Sequence, residues 1–233
     1  MSRRPPVLAV AHRGDPYRYR ENTLRSVQSA AAAGADAVEV DVRLTRDGVP
    51  VLLHDPTLER LWEDPRPVHR LTLDELAEVG DPAGPRVPTL TEALKAVAET
   101  PATRLLIDLD EPGPAAAAHR AVADLGAAHR VAYCGPTAAM LAVRALDPDA
   151  EIALTWRQPR LPGRPLLDDL RPRYLNPPFG MVEPRIVGAA HDAGLLVSTW
   201  TVDLRRTVHR MLRTGVDSVT SNRIDMLRRE LDA

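Results

Sequence analysis

The sequence predicts an α/β fold, a (β/α)8 barrel, and three observations carry that expectation. A unit made of an Ala- or Leu-rich helix, a glycine just past its end and a short apolar strand recurs along the chain, and such units build a parallel sheet covered by helices. The chain has 233 residues, a length at which α/β barrels form one domain. Its strand candidates are about as many as a closed barrel has staves, so one domain over residues 1–233 is expected.

The elements follow in order. Residues 7–11 are a short apolar run that reads as the first strand. The helical stretch 26–33 ends at Gly34, which suits the left-handed residue that closes a helix, and a strand at 37–44 follows. Residues 51–54 are the next strand candidate, but the connection from Leu44 carries Asp47-Gly48, a turn signal with no room for a helix. One strand here breaks the regular repeat. Residues 56–88 are rich in proline and charge and read as a long excursion from the barrel face, not a second domain. Thr72 with Glu75, and Thr89 with Glu92, have capping-box spacing and start two helices. Strand candidates then fall at 104–109, 131–134, 152–155 and 174–176, with a proline-rich loop at 158–172. Gly194 closes a helix at 187–193 before a strand at 195–202, and Gly215 closes one at 208–214 before a strand at 218–220. That makes nine candidates for eight staves. The loops at 56–88 and 158–172 are either plain surface connections or segments that overhang an active site.

Composition narrows the function classes. Hydrophobic residues make up 44% and charged residues 27%, which excludes a disordered chain and suits a sizeable core. A net charge of -2 gives no global reason to expect nucleic acid or an anionic membrane as partner, although a local basic patch escapes this test. A small-molecule substrate is the expectation; the sequence gives no oligomeric state. The one cysteine, Cys134, cannot form an intrachain disulfide and reads as a small buried side chain. Arg3 and Arg4 precede an apolar run too short for a signal segment, so a cytoplasmic chain without stable membrane insertion is expected.

The chemistry concentrates at strand ends. In 37–44 valines and charges alternate, so the period of two puts Glu39, Asp41 and Arg43 on one face and the valines under the helices. A stave of a parallel sheet is normally apolar throughout, so paired acids in one require a reason. Residues 104–110 repeat the pattern, Asp108 and Asp110 sharing a face opposite Ile107 and Leu109. Up to four carboxylates thus converge, and such neighbours cannot all stay ionised without a cation. An all-oxygen set selects a hard divalent ion, Mg2+ or Ca2+; salt bridging with Arg43 is the structural alternative. His12 and Arg13 follow the first strand, and His54 with Asp55 follows 51–54, where barrel active sites form. Glu21 and Asn22 open a helix, Asn22 as a cap and Glu21 as a group able to orient Arg13. His69, His119, His129, His191 and His209 read as solvated or locally hydrogen-bonded.

These residues sit in motifs that resemble the glycerophosphodiester phosphodiesterases, a family of (β/α)8 TIM barrels. The motifs are AHRG at 11–14, ENT at 21–23, AVEVDVRLTRDGVPVLLHDPTLER at 37–60, VPTLTEAL at 87–94, STWTVD at 198–203 and GVDSVTSN at 215–222, in order over nearly the whole chain. The resemblance implies a metal-dependent hydrolase that turns glycerophosphodiesters into sn-glycerol 3-phosphate and an alcohol. It implies that His12 and His54 are the catalytic pair, in an unassigned order of acid and base, and that Arg13 binds the phosphate. It also makes Glu39 and Asp41 metal ligands and puts Trp200, with Glu21, at the substrate pocket. Asp108 falls where the family usually has a glutamate as third metal ligand. Asp110 falls where it commonly has a lysine facing the phosphate. Asp110 therefore either joins the metal shell, alters the phosphate site or requires another cation to offset it. Two other readings stand beside this one: a lysophospholipid-acting phosphodiesterase of the same barrel, disfavoured by only three Trp, four Tyr and one Phe, and a barrel with impaired turnover that serves as a binding protein.

Overall fold

The computed structural model describes residues 6–80, 84–100 and 102–233. Arg3, Arg4 and residues 81–83 of the excursion lie outside the described residues. The first half of the chain forms β1 (Leu8–Ala11), α1 (Leu24–Ala32), β2 (Ala37–Leu44), β3 (Pro50–Leu52), β4 (Thr57–Leu58), α2 (Glu59–Trp62), β5 (Asp64–Pro67), α3 (Leu73–Ala77) and α4 (Leu90–Ala98). The second half alternates regularly: β6 (Arg104–Asp108), α5 (Ala115–Asp124), β7 (Val131–Gly135), α6 (Thr137–Leu146), β8 (Ile152–Thr155), α7 (Arg164–Leu170), β9 (Tyr174–Asn176), α8 (Pro184–Asp192), β10 (Leu196–Thr199), α9 (Arg205–Thr214), β11 (Ser218–Ser221) and α10 (Ile224–Leu231).

Eight of the strands close a parallel barrel in the order β1-β2-β6-β7-β8-β9-β10-β11. β1 joins the ends of the sheet, pairing Leu8 with Ser218 on one side and Val10 with Ala37 on the other. The surplus strand is β3, which runs antiparallel to β2 from Val42↔Leu52 to Leu44↔Pro50. The Asp47-Gly48 turn causes this: Thr45 donates its N–H to the Val49 carbonyl at 3.1 Å, and Gly48 takes φ 78°. The chain doubles back before any helix can form.

Period-two alternation then explains where β3 goes. Leu52 packs into the main core, while Val51 and Leu53 join a second cluster with Leu58, Trp62, Val68, Leu71 and Leu76. The excursion is thus a small folded layer with its own core, hinged on a strand shared by both. In β2 the valines Val38, Val40 and Val42 are at most 4% exposed and face the helices. Burying each contributes about 1.5–3 kcal/mol relative to leaving it exposed, which helps offset the acids on the opposite face. A separate buried cluster of Val10, Leu106, Cys134 and Ala153 fills the barrel lumen.

The helix ends follow the expected chemistry. Gly34, Gly194 and Gly215 all take φ between 80° and 89°. Both capping boxes close, Thr72 with Glu75 and Thr89 with Glu92. Among the described residues, no helix is long and apolar enough to cross a membrane.

Candidate active site

Glu39 and Asp41 alternate with the buried valines of β2 and so point into the lumen at its C-terminal end. Asp108 closes β6 as the register partner of Asp41. One carboxylate oxygen from each of the three lies within 4.8 Å of the others. Glu39 is 3% exposed and Asp41 8%. Burial, then the charges of Asp41 and Asp108, push Glu39 well above the usual carboxylate range. Burial, then Asp41 and Asp110, push Asp108 up to about 8. Glu39 Oε1 and Asp108 Oδ1 are buried without a hydrogen-bond partner. Unsatisfied oxygens on clustered acids are what a hard divalent cation would satisfy, so the donor set fits Mg2+ or Ca2+. Cys134 is the register partner of Asp108 on β7. Burial, then the Asp108 charge, raises its thiol well above the ordinary value.

The loop after β1 delivers Arg13. Its backbone N–H donates to Glu39 Oε2 at 2.8 Å, its Nη1 to Glu21 Oε1 at 2.9 Å, and its Nε lies 3.1 Å from Asp41 Oδ2. Arg13 takes φ 58°, a left-handed conformation unusual for a residue with a Cβ. Gly14 follows it for a steric reason: a Cβ there would fall 2.3 Å from Ser26 Oγ and 2.6 Å from the Ser26 backbone. The loop therefore packs directly against α1, and Ser26 Oγ holds the Arg13 carbonyl at 3.0 Å. Asn22 does not cap α1; Thr23 does. Asn22 instead grips Asp41 twice, Nδ2 donating to Oδ2 at 2.8 Å and Oδ1 accepting the Asp41 N–H at 3.2 Å. A second polar residue lay beside the expected cap, and the carboxylate on the neighbouring strand β2 claimed the first.

Each histidine has its Nδ1 committed. His12 Nδ1 is 2.8 Å from Asn222 Oδ1. Asn222 is fixed in turn by Asp203, which accepts its backbone N–H at 2.8 Å and its side-chain N–H at 2.7 Å. The amide oxygen must then face His12, which makes Nδ1 the protonated nitrogen and leaves Nε2 free, 4.0 Å from Glu39 Oε2. Burial, then the Arg13 charge, hold His12 below the usual histidine range, against Asn222 and the carboxylates of Asp41 and Glu21. His54 Nδ1 bonds Asp55 Oδ1 at 2.7 Å. Asp55 accepts from Arg60 Nε at 2.5 Å, and Arg60 Nη2 reaches Glu21 Oε1 at 2.6 Å. His54, Asp55, Arg60, Glu21 and Arg13 form one continuous chain of charge-assisted contacts. Arg43 clamps the His54 carbonyl through Nε at 2.7 Å.

His12, Arg13, Glu39, Asp41, His54, Asp108, Asp110 and Trp200 line a single cleft. Glu21 stands behind Arg13 and does not line it. Asp110 is outside the converging acids: its side chain is 63% exposed at the rim, 3.4 Å from Arg43 Nη2. Arg157, from the loop after β8, also lines the cleft and lies 5.1 Å over the Trp200 ring. Sequence reasoning assigned no role to Asn222, Asp203, Arg60 or Arg157. Asn222 and Asp203 do stand at the ends of the two C-terminal motifs, which was the available signal.

A sequence profile of the glycerophosphoryl diester phosphodiesterase family matches residues 12–226. A glycerophosphodiester phosphodiesterase from Caldanaerobacter subterraneus is 27% identical over 93% of this chain and 94% of its own length. A "Probable glycerophosphodiester phosphodiesterase 2" from Mycobacterium tuberculosis is 32% identical over 95% of this chain and 89% of its own. Among solved structures, a glycerophosphodiester phosphodiesterase from Parabacteroides distasonis superposes with a TM-score of 0.83 at 25% identity, covering 97% of this chain and 96% of its own. An Oleispira antarctica phosphodiesterase in complex with the product sn-glycerol-3-phosphate shares the fold, with a TM-score of 0.87 at 22% identity and 98% coverage of both chains. The profile spans the first histidine to the last helix, and with these full-length likenesses it settles that the chain belongs to the glycerophosphodiester phosphodiesterase family of phosphoric diester hydrolases.

Proposed function

We propose that the chain is a metal-dependent glycerophosphodiester phosphodiesterase, one catalytic domain that releases sn-glycerol 3-phosphate and an alcohol by acid-base catalysis between His12 and His54. The observation that carries this reading is that both rings have Nδ1 tied down while their cleft holds unsatisfied carboxylates and an arginine. Glu39, Asp41 and Asp108 would hold a divalent cation, Mg2+ or Ca2+, which neutralises a nonbridging phosphate oxygen when bound. Arg13 adds a second positive charge for the phosphate, kept in place by Glu21 and Asp41.

The surroundings divide the proton transfers. His12 is kept neutral by burial and by Arg13, so its Nε2 accepts the proton of the nucleophile, the substrate's own adjacent glycerol hydroxyl. Attack by that hydroxyl expels the alcohol and leaves a cyclic phosphate that water then opens to glycerol 3-phosphate. Its Nδ1–H stays on Asn222, so the ring cannot turn. His54 has a carboxylate to carry the compensating charge while it holds a second proton, which suits it to protonate the leaving alkoxide. Asp110 places an anion at the rim, and Arg43 beside it with Arg157 in the same cleft offset that charge.

Release of glycerol 3-phosphate from glycerophosphocholine by metal-stripped protein tests the reading, with Mg2+ or Ca2+ restored separately and His12→Ala run beside it. Release that depends on the ion and is lost in the variant is expected. Release unaffected by stripping, or kept by the variant, would overturn it.

A further inference from the structure

The barrel mouth is unequal around its circumference. The strands β8, β9, β10, β11 and β1 are consecutive in the ring, so the loops leaving their C-terminal ends form one arc. Four exposed large apolar side chains stand on that arc: Tyr17 at 67% exposure, Tyr19, Phe179 and Leu204 at 49%. Arginines accompany them. Arg223 covers the Tyr17 ring at 5.4 Å and Arg210 the Phe179 ring at 5.7 Å. Arg160 on the β8 loop and Arg206 at the start of α9 are exposed. Among the described residues none of these four is in ion-pair contact with a carboxylate, whereas Arg164, Arg185 and Arg205 near them are paired. The facing side of the mouth carries exposed Asp110 and Glu111. A chain with a net charge of -2 thus gathers uncompensated cations and apolar tips on one arc of one face.

We propose that this arc docks peripherally onto an anionic phospholipid surface, which turns the cleft toward the membrane. Charge complementarity selects the occupant: arginines are drawn to a negative leaflet, and amphipathic rings settle at headgroup depth. A polyanion in solution would use the cations and leave Phe179 and Leu204 without a partner, whereas a bilayer offers both. The contact needs no spanning segment. The purpose given to it, access to a lipid-derived phosphodiester, rests on the phosphodiesterase reading; the binding itself does not.

Sedimentation of the full chain with phosphatidylcholine vesicles, with and without phosphatidylglycerol, tests the proposal. Partition onto the anionic vesicles is expected to be at least roughly tenfold higher and to fall as salt rises. Two double variants, Phe179→Ser with Leu204→Ser and Arg160→Glu with Arg206→Glu, are expected to remove that excess with unchanged thermal melts. A control with the same charge change on the helices, Arg120→Glu with Arg213→Glu, is expected to keep it. Equal binding to neutral vesicles, equal loss in the control, or retention on heparin or RNA without vesicle binding would overturn the proposal. Turnover of water-soluble glycerophosphocholine, scored in the same preparations, separates the two claims: its absence overturns the hydrolase reading alone.

Discussion

The two histidines of the cleft sit in opposite surroundings. His12 has a side chain only 17% exposed, on the regular side of the barrel, and its partner is a neutral amide. His54 is 38% exposed, on the side built by β3 and the excursion, and its partner is a carboxylate. The difference follows from what each neighbourhood tolerates. Three acids already converge beside His12, and a fourth buried carboxylate would add repulsion, so an amide fixes the tautomer without adding charge. At the open side solvent and Arg60 stabilise Asp55, which Arg60 and His54 hold below the usual carboxylate range against its partial burial. One cleft thus contains a buried ring fixed by an amide and a more exposed ring fixed by a carboxylate.

The strongest way to break that comparison is to remove each ring. His12→Ala and His54→Ala are each expected to lower kcat on glycerophosphocholine by about 10²–10⁴. A diester with a nitrophenolate leaving group needs no proton on departure. On that substrate His54→Ala is expected to recover most of its loss and His12→Ala to recover none. Equal losses on both substrates would end the assignment of acid and base.

Smaller changes sharpen it. Asn222→Ala and Asp55→Ala each release a ring and are expected to lower kcat by roughly 10–100-fold, as for groups that orient a ligand or catalyst. Asn222→Asp places a carboxylate on His12 and should raise its pKa, moving the acid limb of kcat/KM to higher pH. Asp55→Asn should leave that limb where it is. Arg157→Ala is expected to raise KM roughly tenfold with little change in kcat, the low end for losing a hydrogen bond to a charged group. An unchanged KM would leave Asp110 offset by Arg43 alone.

The locally coded features were the legible ones, in both halves of the chain. Period-two acids, helix-closing glycines and capping boxes are local signals, and they appear in the structure where the sequence put them, except Asp110, which lies beyond the end of β6 at the exposed rim. Which strand leaves the barrel was not legible, because β3 serves two cores and the second core is assembled from residues as far apart as Val51 and Val87. The acids, both histidines and Arg13 could be found because strand period and strand ends locate them. The bond from His12 to Asn222 spans 210 positions and exists only because the barrel closes β11 onto β1. Asn22 misled for the reverse reason: its sequence context is that of a cap, and only the tertiary approach of Asp41 reassigns it. Arg60 and Arg157 look like surface charges until the fold brings Arg60 to Asp55 and Glu21 and Arg157 to the cleft wall.

The mildest test concerns the energy stored in the buried half. In the metal-stripped protein Asp108 titrates at about 8 and Glu39 lies well above its usual range, whereas in the unfolded chain such groups titrate near 3.9 and 4.3. Between roughly pH 5 and 8 the folded state therefore binds more protons than the unfolded state, so stability falls as pH rises. Thermal melts without metal should show the melting temperature dropping across that window. For a chain of this size each kcal/mol corresponds to about 2–4 °C. Mg2+ or Ca2+ competes with those protons and should raise the melting temperature more at pH 8 than at pH 5. Asp108→Asn should flatten the drop and remove the ion's effect, while Asp110→Asn, at the exposed rim, should do neither. A melting temperature that rises with pH in the stripped protein, or an ion effect equal at both pH values, would mean that the acids do not share the charge the geometry assigns them.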